Sequence, residues 1–381
     1  MSQTFYRKGF LALAVASALS VSSFAQADLK LGIAGPFTGA NAAFGEQFKK
    51  GATQAAVDIN AKGGINGEKV VLDFEDDACE PKQAVAVANK LVEAKVAGVV
   101  GHFCSSSTIP ASEAYDDANI ISITPASTNP GVTDRGLKTV MRMCGRDDQQ
   151  GMVAGDFIVD TLKGKRVAVI NDKDTYGKGV ADATSAELVK KGVKPILEEG
   201  LTRGEKDFSA LVTKIRGLNA DVVYFGGLHA EAGPLVHQLR DAGMKDVAFV
   251  SDDGIVTDEL ITTAGGKQYT DGVYMTFGAD PMKLPTSKAV VEEFSKAGYN
   301  PEGYTLYAYA SVQTLAAGFA GIKSNATGNG DKVAKWLEAN PQDTVMGKKG
   351  WDAKGDLTVS DYVVYKWNAD GKYVQLAPGA K

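Results

Sequence analysis

Polar and acidic residues gather in five short clusters, each directly after a run of apolar residues of the kind that forms a buried strand. The clusters occupy residues 105–108, 124–130, 174–177, 226–229 and 252–254. Hydroxyl groups and backbone N–H groups at the start of a helix favour a bound carboxylate. An acidic side chain on another loop favours an ammonium group, because a charge buried without a partner is very costly. Together the clusters predict a binding site for a zwitterion.

Helix capping is the alternative explanation for these clusters. Ser, Thr and Asp are the residues preferred immediately before a helix, so any single cluster fits a cap equally well. Ligands of open α/β sheets bind at the carboxyl ends of the strands, and five clusters at that same place favour a shared site. The last cluster offers two acids, Asp252 and Asp253, and neighbours on an extended segment face opposite ways.

Other kinds of site are disfavoured by residue spacing. The Gly-rich loop at residues 35–39 does not match the dinucleotide or phosphate-binding patterns, and no G-x-S-x-G sequence is present. His229 and His237 are eight positions apart and lack the third ligand of a zinc site. Residues 171–174 begin like a calcium loop but lack its Gly and closing Glu. We therefore predict no metal, no cofactor and no catalytic residue.

Strand-like and helix-like segments alternate along the chain and would position these clusters. Nearly continuous apolar runs predict strands buried on both faces at residues 29–34, 70–74, 96–101, 120–124, 166–171, 221–226, 247–251 and 272–277. Amphipathic patterns predict helices at residues 83–92, 208–218, 235–242, 288–297 and 306–322. The pattern predicts an α/β protein with two doubly wound, Rossmann-like lobes, and a closed (β/α)₈ barrel is the alternative.

The N-terminus has the pattern of a secretory signal. Arg7 and Lys8 precede an apolar stretch at residues 9–21, and Ala25-Gln26-Ala27 fits a cleavage site. A membrane anchor is the alternative, but the stretch is shorter than the roughly 20 residues that span a bilayer. Removal of residues 1–27 would change the formal net charge from −5 to −7, because the segment has two basic and no acidic residues. We expect a periplasmic protein.

Composition and cysteine content narrow the function further. No basic run is present, which argues against a nucleic-acid partner. The three cysteines are Cys79, Cys104 and Cys144, and an oxidising compartment predicts one disulfide among them. The sequence allows three pairings. Cys79 and Cys104 each follow a predicted strand and are plausible neighbours, whereas a nucleophilic cysteine lacks a histidine in a catalytic context nearby.

Five longer stretches carry a family resemblance. They are VDINAKGGINGEKV at 57–70, DDACEPKQAVAVANK at 76–90, GHFCSSSTIPAS at 101–112, GEKDFSALV at 204–212 and WDAKGDL at 351–357. Over about residues 29–367 the chain resembles the leucine/isoleucine/valine-binding proteins of bacterial ABC importers, which have the type I periplasmic binding fold. The resemblance implies that an aliphatic amino acid binds between two lobes and is delivered to membrane permease subunits.

The resemblance also implies the lobes and their connections. Three hinge crossovers near residues 146, 276 and 356 would join lobe 1, residues 28–146 and 277–355, to lobe 2, residues 147–276 and 356–381. The disulfide would join Cys79 and Cys104. A monomer is expected. A ligand sensor or a short-amide receptor of the same fold, and an exported α/β enzyme such as an amidase or dehydrogenase, are the alternatives.

The resemblance further assigns the binding residues. Ser105 corresponds to the serine that binds the ligand carboxylate, and the carbonyl of Ala126 to the one that accepts from the ammonium. Thr128 corresponds to the binding-site threonine of the family, and Asp253 to the acid that pairs with the ammonium. Better-known members carry Glu at this last position.

The remaining assigned positions form the wall around the ligand side chain. Phe44, Tyr176 and Tyr304 correspond to aromatic wall positions. Leu228 stands where those members have Tyr, and the room it leaves could admit a larger side chain such as that of phenylalanine.

Overall fold

A computed structural model describes residues 28–381, so the predicted signal segment 1–27 lies outside the described residues. The strands are β1 (Leu29–Gly35), β2 (Val70–Asp76), β3 (Gly98–Val100), β4 (Ile121–Thr124), β5 (Val140–Arg142), β6 (Val167–Asn171), β7 (Leu197–Gly200), β8 (Val222–Gly226), β9 (Ala248–Ser251), β10 (Tyr274–Gly278), β11 (Gln342–Thr344), β12 (Gly347–Lys349), β13 (Tyr362–Trp367) and β14 (Tyr373–Gln375).

These strands form two open sheets and one small hairpin. The first sheet has the order β2-β1-β3-β4-β5 and is parallel throughout. The second has the order β14-β13-β10-β9-β8-β6-β7, with β13 and β14 antiparallel to the rest. Strands β11 and β12 form the hairpin. Two open sheets confirm the predicted two-lobed α/β fold and exclude the closed barrel.

Helices cover both sheets. They are α1 (Ala42–Ala61), α2 (Pro81–Glu93), α3 (Ser105–Asp117), α4 (Asp147–Asp156), α5 (Thr175–Lys190), α6 (Ser209–Gly217), α7 (His229–Asp241), α8 (Glu259–Thr263), α9 (Lys267–Thr270), α10 (Lys288–Lys296), α11 (Thr305–Ile322) and α12 (Gly330–Ala339). A π-helical turn, Phe157–Thr161, extends α4. In this described part of the chain, no helix combines the length and apolar character needed to cross a bilayer.

The core of the first lobe is completed by α11 and α12, two helices near the C-terminal end of the sequence. Leu31 and Ile33 of β1 are fully buried. Helix α11 packs against α1 and β3, and α12 packs against α11 and β4. Gly51 allows the close approach of α1 to α11, since a Cβ there would lie 2.0 Å from the carbonyl oxygen of Thr305. The residues that close this core therefore come from both ends of the sequence.

The chain passes between the two sheets three times. It leaves the first sheet after β5, returns after β10 and leaves again before β13. Strand β10 belongs to the second sheet through Gly278, two residues beyond the predicted crossover at 276. The exact boundaries of the moving lobes stay a prediction.

Candidate functional site

A small cavity lies between the carboxyl edges of the two sheets, where the sequence places its polar clusters. It contains about 240 Å³ of space not filled by protein atoms, part of which is open to solvent. It is lined by Phe103, Cys104, Ser105, Ala126, Tyr176, Leu228, Asp253, Gly254 and Tyr304.

One end of the cavity is the start of α3. Ser105 is the first residue of this 13-residue helix, and its side chain is buried. The first N–H groups of a helix have no partner within the helix, and they carry partial positive charge. The Ser105 hydroxyl accepts a hydrogen bond from the Asn129 N–H at 3.3 Å and keeps its own proton for a ligand. This end is suited to a carboxylate.

The loop after β4 presents a backbone carbonyl beside that helix. The Ser127 carbonyl accepts from Arg142 Nη1 at 2.8 Å, and the Thr128 carbonyl accepts from the Asp147 N–H at 2.9 Å. No donor within residues 28–381 satisfies the Ala126 carbonyl. The buried Thr128 hydroxyl makes no hydrogen bond of good geometry there, but it lies close enough to the Asp147 carboxyl to lower the pKa of that group. Buried polar groups rarely lack a partner. The loop therefore offers a free carbonyl acceptor next to the cavity.

Asp253 faces these groups from the second lobe. It is buried at the start of a 3₁₀ turn, Asp253–Ile255, and accepts a hydrogen bond from the Tyr176 hydroxyl. Burial raises the pKa of the Asp253 carboxyl to about 6, and hydrogen bonding, mainly from Tyr176, limits the rise. The carboxylate form is therefore accessible near neutral pH, and a cation beside it would stabilise that form further.

The neighbouring acid, Asp252, has a different environment. Its two carboxylate oxygens accept from the Gly227 N–H at 2.9 Å and the Gly254 N–H at 3.0 Å. A Cβ on Gly254 would lie 2.2 Å from the Gly227 carbonyl oxygen, so only glycine allows these two loops to meet. Asp252 thus joins the loops after β8 and β9 and leaves Asp253 to line the cavity.

A further acid lies beside this site and was missed by the sequence analysis. Asp147 is the first residue of α4, is fully buried, and neither of its carboxylate oxygens has a hydrogen-bond partner within the described residues. Burial raises the pKa of its carboxyl to about 8, and the charge of Asp253 adds to the rise. In the sequence, Asp147 looks like an ordinary acid in the first turn of a helix. Only its burial in the folded protein distinguishes it.

Aromatic rings fill the remaining wall. Phe44 does not line the cavity itself but stacks on Phe103, with ring centroids 4.2 Å apart. Tyr304 meets the Phe103 ring edge to face at 5.4 Å. Leu228 closes the opposite side from the start of α7. Phe103, which the sequence analysis also missed, lines the same cavity as Leu228, and the extra room expected from Leu228 stays a prediction.

Two links hold the loops that carry α3. The structure contains a disulfide between Cys79 and Cys104, the pairing that the resemblance implies, and Cys144 is free and buried. The buried Asp77 carboxylate and the His102 ring nitrogen lie 2.5 Å apart. Both links join the loop after β2 to the loop after β3, directly before Ser105.

Residues 28–381 contain no group of three His, Cys, Asp or Glu side chains arranged to hold a metal ion. His229 instead meets the Phe44 ring at 5.4 Å, and burial lowers its pKa to about 4. His237 lies 3.0 Å from Asp241 on the outer face of α7.

Comparison with known proteins places this architecture. A family model described as periplasmic binding protein matches residues 28–372. The chain belongs to the periplasmic binding protein family. An amino acid binding protein of Pseudomonas aeruginosa is 67% identical to this periplasmic binding protein, over 99% of this chain and 100% of its own. Leu/Ile/Val-binding protein homolog 1 of Brucella suis is 46% identical over 96% and 97%.

Solved structures agree with the fold of this periplasmic binding protein. The branched-chain amino acid transporter substrate binding protein LivJ of Streptococcus pneumoniae, solved with isoleucine, superposes with a TM-score of 0.82. It shares 26% identity and covers 92% of this chain and 100% of its own.

The structure brings six of the eight predicted binding residues around one cavity: Ser105, Ala126, Tyr176, Leu228, Asp253 and Tyr304. Phe44 lies behind the wall, and Thr128 lies in the loop behind Ala126. The roles assigned to all eight stay predictions.

Proposed function

We propose that this periplasmic binding protein is the substrate-binding component of an ABC importer and captures leucine, isoleucine or valine between its lobes. It then delivers the amino acid to the membrane permease subunits. Signal segment 1–27 directs export, and the mature monomer works in the periplasm. The Leu/Ile/Val-binding relative and the isoleucine-bound structure support this substrate class.

The arrangement of opposite charges in one cavity carries the proposal. The N-terminus of α3 and Ser105 favour a carboxylate, while Asp253, on the other lobe, favours an ammonium. Ala126 lines the same cavity, and its carbonyl has no donor among the described residues. An α-amino acid bears both charged groups on one carbon, so it can satisfy both lobes at once.

The side-chain chamber favours an aliphatic ligand. Phe103, Leu228 and Tyr304 line it, and they provide no charged partner for a ligand side chain. A charged side chain buried there would lose its hydration without compensation. Lysine and glutamate should therefore be rejected.

We infer that binding involves no chemistry. The Ser105 hydroxyl contacts a backbone N–H, and the Tyr176 hydroxyl contacts Asp253. Neither is paired with an imidazole base in the described part of the chain. Reversible capture with lobe closure explains the site without a catalytic step.

A thermal-shift screen of the mature protein with the twenty amino acids, followed by calorimetry on those that stabilise it, tests the substrate class. We expect leucine, isoleucine and valine to stabilise it and lysine and glutamate to leave it unchanged. Tighter binding of arginine or glutamate than of leucine would refute the pocket assignment.

Uptake of labelled leucine by cells lacking the protein then separates import from sensing. An importer component is required for uptake, whereas loss of a sensor leaves the transport rate unchanged at matched transporter levels.

A further inference from the structure

One arginine contacts the loop after β4 but does not line the cavity. Arg142 ends β5 and is fully buried. Taking a guanidinium out of water is costly unless all of its contacts are well made. Its contacts run to two places, the loop after β4 beside the cavity and one of the crossovers between the lobes.

The guanidinium holds the loop that carries the ammonium-binding groups. Arg142 Nη1 donates to the Ser127 carbonyl at 2.8 Å, and Nη2 donates to the Asn129 carbonyl at 3.1 Å. These two carbonyls flank Thr128. With both turned toward Arg142, the Ala126 carbonyl is left without a protein donor at the cavity.

The same side chain reaches the third passage between the sheets. Arg142 Nε donates to Asp356 Oδ1 at 2.7 Å, and Nη2 donates to the Thr133 hydroxyl at 2.7 Å. The Thr133 hydroxyl in turn donates to Asp356 at 2.7 Å. Asp356 lies in the segment that leads from the first lobe into β13. One planar fork therefore joins the binding loop to a crossover.

We propose that Arg142 is a positioning residue for ligand binding, which fixes the loop of residues 126–129 and ties it to the third crossover. This inference rests on the proposed function, because it requires a ligand ammonium at that loop. Lys cannot replace the fork, since an ammonium lacks the fixed planar geometry that reaches several acceptors at once.

Calorimetry with leucine on the mature Arg142→Lys protein tests the inference. We expect affinity to fall about tenfold or more, because hydrogen bonds to a charged group are lost behind the loop. Arg135→Lys is the matched control. Arg135 binds the carbonyls of Gly131 and Val132, further along the same segment and away from the cavity, and we expect its affinity to stay within about twofold of wild type.

A double-mutant cycle separates positioning from general loosening of the fold. Thr128→Val removes a hydroxyl of the loop, and Leu228→Ala alters the opposite wall. We expect the effects of Arg142→Lys and Thr128→Val on leucine affinity to be non-additive and those of Arg142→Lys and Leu228→Ala to be additive. Additivity in both cycles, or equal effects of the two arginine variants, would overturn the inference.

A second variant covers the case in which Arg142→Lys does not fold. Thr133→Val removes the hydroxyl between Arg142 and Asp356 without a change of shape, and we expect about three- to tenfold weaker binding. Wild-type affinity in that variant would then overturn the inference. Failure of the proposed function looks different, since the wild-type protein would then bind no amino acid.

Discussion

Two adjacent acids, Asp252 and Asp253, have the same side chain but make different contacts. Both carboxylate oxygens of Asp252 accept hydrogen bonds, from the N–H groups of Gly227 and Gly254. Asp253 accepts from Tyr176 and lines the cavity. The difference follows from the extended backbone between them, which turns successive side chains to opposite faces.

Asp253→Ala should nearly abolish amino acid binding. A ligand ammonium enclosed between the lobes would lose its counter-charge, and truncating one partner of a buried charge pair costs about 2–5 kcal/mol, or roughly 30-fold to several thousand-fold in affinity. The melting temperature of the ligand-free protein should change little. Calorimetry with leucine measures the loss.

Asp252→Ala is the matched control. It should lower the melting temperature, because two buried N–H groups lose their acceptor, and weaken leucine binding much less than Asp253→Ala does. The reverse order of affinities would show that the ammonium site lies elsewhere.

Leucine affinity should fall as the pH drops below about 6. The pKa of the Asp253 carboxyl in the ligand-free protein is about 6, raised by burial. The ammonium pairs only with the carboxylate, so binding below that pKa must first remove a proton, at a cost of about tenfold in affinity per pH unit. Above it, affinity should be level. Calorimetry from pH 5 to 8 gives the profile, with Asp253→Asn as a flat control.

The same profile tests Asp147. Burial raises the pKa of the Asp147 carboxyl to about 8, so pairing of the ligand ammonium with Asp147 instead of Asp253 would move the bend of the profile from about pH 6 to about pH 8. Affinity that keeps rising about tenfold per pH unit up to about pH 8, instead of levelling off above about pH 6, would identify Asp147 rather than Asp253 as the anion that the ligand meets.

Phe103→Leu should shift preference toward larger side chains. The Phe103 ring lines the chamber and is stacked on Phe44, so a smaller residue enlarges the space in which the ligand side chain lies. We expect phenylalanine to gain affinity relative to valine. Phe157→Leu, which disturbs a buried aromatic pair with Tyr274 far from the cavity, should lower stability without changing that ratio.

Some of the candidate site residues can be predicted from the sequence, and others cannot. Ser105 and Asp253 stand directly after strands that apolar runs reveal, so their placement at one edge follows from strand order. Phe103 and Asp147 belong to no polar pattern. A buried Phe in a loop and an acid in a first helical turn both have ordinary explanations, and only tertiary packing shows what surrounds them.

The start of α3 is held by two links of different chemistry. The Cys79–Cys104 disulfide and the Asp77–His102 contact join the same two loops. Because there are two links, the disulfide can be removed while the Asp77–His102 contact remains. Its effect on stability can then be measured separately from the orientation of the α3 N-terminus.

Replacing both Cys79 and Cys104 by Ser should lower stability more than affinity. Chain-entropy reasoning for a 25-residue separation gives about 3.5 kcal/mol of unfolding free energy. Leucine affinity should stay within about tenfold, because the Asp77–His102 contact keeps α3 in place. Denaturant unfolding and calorimetry measure the two effects, with Cys144→Ser as the control. A loss of binding in a variant that remains folded would show that the disulfide orients the site.

All eight strands expected from apolar runs are present, but the sequence analysis missed six others, namely β5, β7 and β11 to β14. Strand β5 contains the buried Arg142, whose charge hides the apolar pattern. Strand β7 lies at a sheet edge and is half exposed, with two glutamates among its four residues. An apolar run therefore does not reveal a three-residue strand that contains a buried charge, or an edge strand with two glutamates.

Across the whole molecule, the lobes touch at both rims of the cleft. The Ser106 hydroxyl donates to Asp174 at 3.2 Å at one rim. At the other, the Asp258 N–H donates to Glu302 at 3.2 Å. None of these four residues lines the cavity, so they can affect the closed state without contacting a ligand.

Ser106→Ala should speed ligand release. The closed state loses one contact between the lobes, which should raise the dissociation rate about two- to tenfold and leave the association rate nearly unchanged. Stopped-flow kinetics with leucine measures both rates. Ser185→Ala removes a comparable contact to Glu198 within one lobe, and equal dissociation rates for the two variants would show that the rim contact does not hold the cleft shut.

The late packing of α11 and α12 on β3, β4 and α1 has a consequence for the order of assembly. As the chain emerges from the ribosome, the strands of the first sheet appear before residue 143, whereas α11 and α12, which complete with α1 the cover of one face, begin at residue 305. Strands β6 to β10 and the helices between them form an unbroken stretch. The first lobe is therefore the first to be synthesised and the last to be completed. It cannot fold fully until nearly the whole chain has been made. Such a delay suits a polypeptide that must cross a membrane before it folds.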